Sequence, residues 1–561
     1  MIGSAKMKKK RTDKNIMKKN NFVQGAFVAT LGIVITKILG ILYVIPFYSI
    51  IGEKGGALYG YAYSIYLVFM AISSAGIPLA ISKLISEYQT LGYYDAKQRA
   101  FKIGKQISIT LGIICFIILF IFAKPLAVAI LGDLKGGNTI EDVTFVIRVI
   151  STAILVVPVL SVYRGYFEGH KFITPTAISQ VVEQVARIIV IIFGSYAALN
   201  VFHLSLTTAV GVATFGATAG ALVGYLYLLD KVFKHKKEIN EITEAKEEPV
   251  ISTKEILGKI FFYALPFIMI DVFKSAYNFV DMTTLVKTLV HTAGYTTVAA
   301  ENSMSVISTW GNKLNMIIVS ISTGIIISLI PNLTSSSVKG DKKDVHHKIN
   351  QTLQILLFLS VPMTIGLSFL SKPVWDVFYG SKSAVGAQIM AYYIFVALII
   401  STYTALVSIV QVLKYYKEVF ISLFAGVLIK ALTNVYLIKT FYSLGFQPVY
   451  GSITATILGY LAGIILCLHY LKKKCGVSYK PTIKITGKII LADIFMILAL
   501  FLVKLVIPIS SSVRLLNIPI ILVYTIIGAG IYLLISYKSG VIEEVLGKEM
   551  LTKIKRKVAK K

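Results

Sequence analysis

The sequence predicts an all-α polytopic membrane protein with about fourteen transmembrane helices, built as two pseudo-symmetric six-helix lobes plus two extra C-terminal helices. Three observations lead there. Of 561 residues, 56% are hydrophobic and only 15% charged, whereas a soluble domain carries about 25% charged residues. The mean hydropathy is +0.76. Apolar stretches long enough for a bilayer core, which needs about 20 residues per helix, recur along the whole chain. Finally, landmarks of the first half reappear in the second.

The stretches run over 22–51, 57–85, 103–130, 143–163, 174–199, 204–229, 256–287, 306–332, 349–370, 385–411, 416–438, 450–471, 486–507 and 516–537. The first exceeds a signal-peptide core and ends in no small-residue cleavage site, so it is expected to be retained. At one gap-free offset, Gly76 aligns with Gly324, Gly92 with Gly340, Lys124-Pro125 with Lys372-Pro373, and Gly132 with Gly380. After a short slip, Glu168 meets Gln411, Lys171 meets Lys414, and Arg187 meets Lys430. This pattern reads as an internal duplication of a six-helix unit. An even helix count returns the second copy in the same orientation, so the repeats are parallel about the membrane normal.

The formal charge of +30 would suggest nucleic acid if the basic residues formed one patch. They follow the loops instead. With both termini cytoplasmic, most Lys and Arg fall on the cytoplasmic side, the positive-inside pattern of a plasma-membrane protein. The expected organisation is a basic cytoplasmic arm (1–21), an N-lobe (22–229), a cytoplasmic linker (230–254), a C-lobe (255–475), a C-terminal helix pair (476–537) and a basic tail (538–561). Cys115 and Cys467 lie in apolar stretches and Cys475 in a loop, so no disulfide framework or metal site is indicated.

Ionisable groups inside the bilayer cost about 2.5 to 3.5 kcal/mol each on insertion scales and usually face a wet cavity or a partner. Lys37 interrupts the first stretch near its middle and Lys313 the eighth, and neither has an acid at i±3 or i±4. Asp271, Lys274, Asn278 and Asp281 draw one polar stripe along the seventh stretch. These features favour Lys37, Lys313, Lys274, Asn278 and Asp281 as substrate-binding candidates. Glu183 and Arg187, at i, i+4 in the fifth stretch, can pair within their helix. Arg164 and Glu168, also at i, i+4, stand where the fourth stretch bends into the fifth. All four are expected to be lobe-structural or gating residues. Cations converging between two lobes suit a diphosphate, which lysines bind as adjustable point charges.

At "TKILGILYVIPF" (first stretch), "SVYRGYFEGHKFITPTAISQVVEQVARII" (fourth and fifth) and "LIKALTNVYLI" (eleventh), the sequence resembles the MurJ lipid II flippases. The resemblance spans the whole chain and is nearest to the Bacillus-type branch that includes the sporulation protein SpoVB, within the multidrug/oligosaccharidyl-lipid/polysaccharide exporter superfamily. It implies lobes around a cationic cavity, a groove for the undecaprenyl tail formed by the last two helices, and headgroup contacts at Lys37 and Lys313. Gram-negative members carry an Arg-Asp pair where this chain has Tyr43 and Val44. That departure shifts the cavity charge toward Lys274 and Lys313.

Flipping of lipid II by alternating access is therefore the expected function, since an unaided sugar-diphosphate headgroup would lose its water in hydrocarbon. The alternatives are a flippase for another undecaprenyl-diphosphate glycolipid (capsule, teichoic or spore precursor) or a cation-coupled multidrug exporter of the same fold. A drug exporter should centre on carboxylates, yet the mid-membrane excess here is basic. A glycosyltransferase or phosphatase would need an acidic metal motif or a histidine cluster, and neither D-x-D nor H-E-x-x-H occurs. A purely structural membrane partner would leave the buried cations without a purpose. The expected partners are the glycolipid and membrane lipids, with no nucleic acid and a monomeric state. No cofactor is expected; membrane potential, Na+ or H+ are the candidate drives.

Overall fold

The computed structural model describes residues 22–239, 249–381 and 384–546. The basic arm (1–21), the middle of the linker and the tail from 547 lie outside the described residues. Those described fold into helices joined by short connections. Among the described residues, twelve helical segments are long and apolar enough to cross a membrane, the first of them running Val44–Leu91. Two more stretches complete the expected fourteen. α1 (Phe22–Leu42) continues into the start of α2 (Val44–Ser74), whose helix is broken at Gly52, and the eighth stretch is Gly311–Val338.

The breaks have residue-level causes. Gly52 sits at φ 64°, ψ −165°, a region that only glycine enters at low cost. At Gly76 the chain turns from α2 into α3 (Ile77–Leu91) with φ 76°, and a Cβ there would lie 2.5 Å from the Ala264 carbonyl oxygen. Glycine is required twice over, by conformation and by space. Past α3 the chain forms α4 (Tyr94–Ile121), α5 (Ala123–Leu131), α6 (Ile140–Ser151), α7 (Ala153–Gly169), α8 (Ile173–Ile189, prolonged by π-helical turns) and α9 (Leu206–Lys234). The long α10 (Thr253–Ala293) leads into α11 (Thr297–Ser305), α12 (Gly311–Val338), α13 (Lys342–Phe369) and α14 (Ser371–Tyr379). α15 (Ala384–Val412), α16 (Tyr416–Ser443), α17 (Val449–Cys475), α18 (Lys480–Val506) and α19 (Asn517–Lys538) follow.

The chain divides into two compact units, one holding the chain up to Asp133 with Asn138–Ala276, the other Leu134–Gly137 with the chain from Tyr277. The division falls inside α10 and not in the linker. The N-terminal part of α10 is tied to the first unit by apolar burial: Ile256, Ile260 and Ala264 join the core made by Ile81 and Leu84 of α3 and by Phe167 of α7. In the second unit the backbones of α16 and α17 approach closely, because a Cβ on Gly459 would stand 2.6 Å from the Gly426 carbonyl oxygen and one on Gly426 2.8 Å from that of Gly459. Small residues permit such helix contacts in hydrocarbon, where helices gain little from hydrophobic burial.

The duplication is visible in the backbone. Gly92 and Gly340 (φ 80° and 71°) and Gly132 and Gly380 (φ 62° and 81°) take the same sign of φ at paired positions. More telling are two lysines in the left-handed region, Lys171 at φ 65° and Lys414 at φ 63°. Each closes a helix end identically: the Lys171 N–H donates to Glu168 O and the Phe172 N–H to Phe167 O, while Lys414 donates to Gln411 O and Tyr415 to Val410 O. The first pair departs from the pattern. Gly76 turns the chain, whereas Gly324 lies within the continuous helix α12.

Candidate functional site

In the first unit the charges converge on Glu183. Its Oε1 accepts from Arg187 at 2.6 Å and its Oε2 from Arg164 at 2.7 Å. The Arg164 Nε–H donates to Ser179 Oγ at 2.9 Å, and Ser179 is anchored on the Thr176 carbonyl. The Glu183–Arg187 pair expected from i, i+4 spacing is present. Arg164, however, turns its guanidinium to Glu183 on α8 and not to Glu168 four residues ahead on its own helix. One carboxylate hydrogen-bonded between two guanidiniums leaves that trio a net positive charge, with Glu168 within electrostatic reach of Arg164. Arg187 Nε is buried with no hydrogen-bond partner among the described residues. Tyr59, Tyr63 and Tyr66 of α2 lie within electrostatic reach of Arg187, and the Tyr59 and Tyr63 rings stack at 5.5 Å. Glu168 instead lines a separate cavity of about 620 Å³ together with Lys83 and Glu87.

Lys37 is half-buried on α1. The helix is seated on α8 at Gly32, where a Cβ would meet Ala177 Cβ at 3.0 Å, and at Gly40, 3.6 Å from Gln184 Nε2. Lys274 is also half-buried in the first unit, within electrostatic reach of the exposed Asp271 one turn away.

The second unit treats its charges differently. The Lys430 ammonium is fully buried and donates to Asp281 Oδ1 at 2.5 Å, Asn434 Oδ1 at 2.9 Å, Ser452 O at 2.9 Å and Ser452 Oγ at 3.3 Å. Ser452 Oγ also donates to Asp281, and the Asn434 amide donates to Thr284 Oγ1 at 2.7 Å. Three helices, α10, α16 and α17, are thereby joined around a neutral pair. Asp281, considered for substrate on its place in the polar stripe, has its carboxylate engaged by Lys430 and Ser452. Asn278, on the same stripe, stays half-buried. Lys430 was legible only as the repeat mate of Arg187 inside an apolar run. Its partner sits 149 residues away, beyond the reach of local spacing.

Lys313 is half-buried just after a π-helical turn, Val306–Trp310. Such turns free carbonyls from the helical ladder and are frequent at functional sites. Here Tyr393 Oη donates to Ile307 O and Tyr379 Oη to Trp310 O, both at 2.8 Å. Those hydroxyls hold the turn and so set the rotation of α12 that presents Lys313. Ile317, one turn along α12, joins an apolar groove of about 340 Å³ lined by Phe358 and Met363 of α13, Met496 and Leu500 of α18, and Tyr524 and Tyr532 of α19.

The family described as "Polysaccharide biosynthesis protein" matches residues 22–336. The chain is 34% identical over 539 residues to the "Lipid II flippase MurJ" of Bacillus subtilis (strain 168), covering 95% of this chain and 98% of that relative. Among solved structures, "Lipid II flippase MurJ, inward closed conformation" superposes with a TM-score of 0.64 at 16% identity over 93% of this chain and 99% of the other. An inward-facing multidrug resistance MATE family transporter of the MOP superfamily gives a TM-score of 0.61 at 14% identity, over 80% of this chain and 98% of the other. At those identities the structural matches establish the fold alone.

Proposed function

The chain belongs to the MurJ family of lipid II flippases, and on that premise we propose that it carries lipid II from the inner to the outer leaflet by alternating access. The observation that carries this reading is the 34% identity held over 95% of the chain with a protein named for that activity. Physical support comes from a polar path for the headgroup and an apolar one for the tail. The net-positive Arg164–Glu183–Arg187 cluster is suited to an anion, and charge-assisted contacts to phosphate are the strong class of hydrogen bond. Lys37 and Lys313 are read as headgroup contacts, with Lys274 and Asn278 as further candidates. The groove between α13, α18 and α19 is suited to a polyprenyl chain, whose burial needs no polar partner. Nothing in this scheme breaks a covalent bond, so the protein acts as a carrier and not as an enzyme.

The test is replacement of the essential flippase in a depletion strain, with lipid II on the outer leaflet as the readout. Growth together with surface lipid II is expected. Growth failure at normal protein level, with rescue of a strain defective in export of another undecaprenyl-linked sugar, would reassign the cargo within the fold. The Lys and Arg asymmetry further supports a cytoplasmic location for both termini and the linker. In a variant without the three native cysteines, Lys236→Cys should resist a membrane-impermeant thiol reagent in intact cells and Lys135→Cys should react. Labelling at 236 would invert the topology.

A further inference from the structure

The C-terminal helix pair carries a charge that the transport reading does not use. Asp493 lies in the middle of α18, 2% exposed, on the same buried face as Ile489, Met496 and Leu500. Met496 and Leu500 are walls of the apolar groove, so the carboxyl sits one helical turn from its lining. Both oxygens of Asp493 are buried with no hydrogen-bond partner among the described residues. Tyr532 of α19, which also lines the groove and feels the Asp493 charge, spends its hydroxyl on the Phe358 carbonyl at 2.8 Å. Ser536, one turn further along α19, turns its buried hydroxyl toward Tyr532 and not toward Asp493.

Charged groups on the neighbouring elements bind other partners or lie toward the helix ends, as Lys484 does in the first turns of α18 and Lys342, Lys343 and His347 do at the start of α13. Lys488 on α18 binds Glu544 at 2.6 Å. On α13, Lys348 binds Asp344 at 2.7 Å and His346 bonds the Cys475 carbonyl at 2.6 Å. Lys538 closes the far end of α19 and Lys504 the end of α18. An ionised carboxylate in this setting would lose its hydration and gain nothing, a cost of several kcal/mol. A carboxylic acid avoids it by carrying one proton.

We propose that Asp493 is a proton-binding site at the wall of the apolar groove, occupied by a proton while α13, α18 and α19 are packed as they are here. The ligand is H+ itself, and exposure of the carboxyl to water would release it. The site does not depend on which glycolipid the protein carries.

The full-length protein in liposomes, treated with dicyclohexylcarbodiimide, tests this. That reagent is apolar and adds to a protonated carboxyl, which retains the whole carbodiimide as an N-acylurea. Peptide mass spectrometry should find the adduct on Asp493, with labelling lost as the pH is raised and lost in Asp493→Asn. Infrared spectroscopy gives a readout independent of reagent access: the carbonyl stretch of a protonated carboxyl should be present in the wild type and missing from Asp493→Asn. Should Asp493→Asn fold poorly, the pH dependence of labelling and of that band in the wild type decides alone. Absence of both adduct and band at acidic pH would overturn the proposal. So would labelling indifferent to pH but blocked by sodium ions, since the site would then hold a metal cation.

Discussion

Arg187 and Lys430 occupy equivalent positions in the two halves, yet their surroundings have opposite electrostatic outcomes. Arg187 shares one carboxylate with Arg164, so that trio of side chains keeps a positive charge and a guanidinium N–H with no hydrogen-bond partner among the described residues. Lys430 is sealed, with one aspartate and three further oxygen contacts completing its ammonium. A duplicated basic position has thus become a reservoir of charge in one half and a structural tie in the other. The difference lies in the stoichiometry of acids to bases: one to two around Glu183, one to one around Asp281. In a low dielectric that single unit of charge separates a site able to attract an anion from one that is neutral.

The largest effect that could break this comparison is on folding of the second half. Asp281→Ala would leave a buried ammonium uncompensated, and a loss of about 3 to 5 kcal/mol is expected. Asp281→Ala combined with Lys430→Met should recover most of it, since removing both charges removes the penalty. Thermal unfolding in detergent reads both variants. A single variant as stable as the double would mean that Lys430 is not held by this charge.

Next are effects on transport at normal stability. Lys37→Ala should abolish flipping while protein level and insertion stay at wild-type values, because removal of a cation from the membrane interior eases folding if anything. At Lys313 the order should be Arg, then Ala, then Glu, as repulsion is added to lost attraction. Equal activity for Ala and Glu, with Arg inactive, would show that shape governs position 313. For Arg187→Gln, Glu183 keeps Arg164, so stability should fall by no more than about 1 to 3 kcal/mol. Lipid II flipping should fall about tenfold, equivalent to one charge-assisted contact. Loss of folding without a transport defect at matched protein level would make Arg187 a tie like Lys430.

The smallest effect addresses what the halves share. Lys171→Gly and Lys414→Gly should each stabilise the protein by about 0.5 to 1 kcal/mol, because a non-glycine residue pays a penalty in the left-handed region. The two gains should agree in melting experiments. A gain at only one position would show that the matched helix ends are not energetically equivalent.

Much of the molecule is legible in the sequence alone. Hydropathy is summed along one helix at a time, so fourteen apolar lengths could be read from composition and spacing. The duplication was legible too, because Lys171 and Lys414 preserve a backbone requirement, and the i, i+4 pair Glu183–Arg187 is a purely local contact. Other features depended on side chains from helices far apart in the chain. Arg164 had an acid four residues ahead and chose one on the next helix; Asp281 found Lys430; Asp493 turned to an interior that offers it no hydrogen bond among the described residues. Charge in a medium of low dielectric is governed by what lies within a few ångströms in space, and only the packing of the helices decides which groups those are.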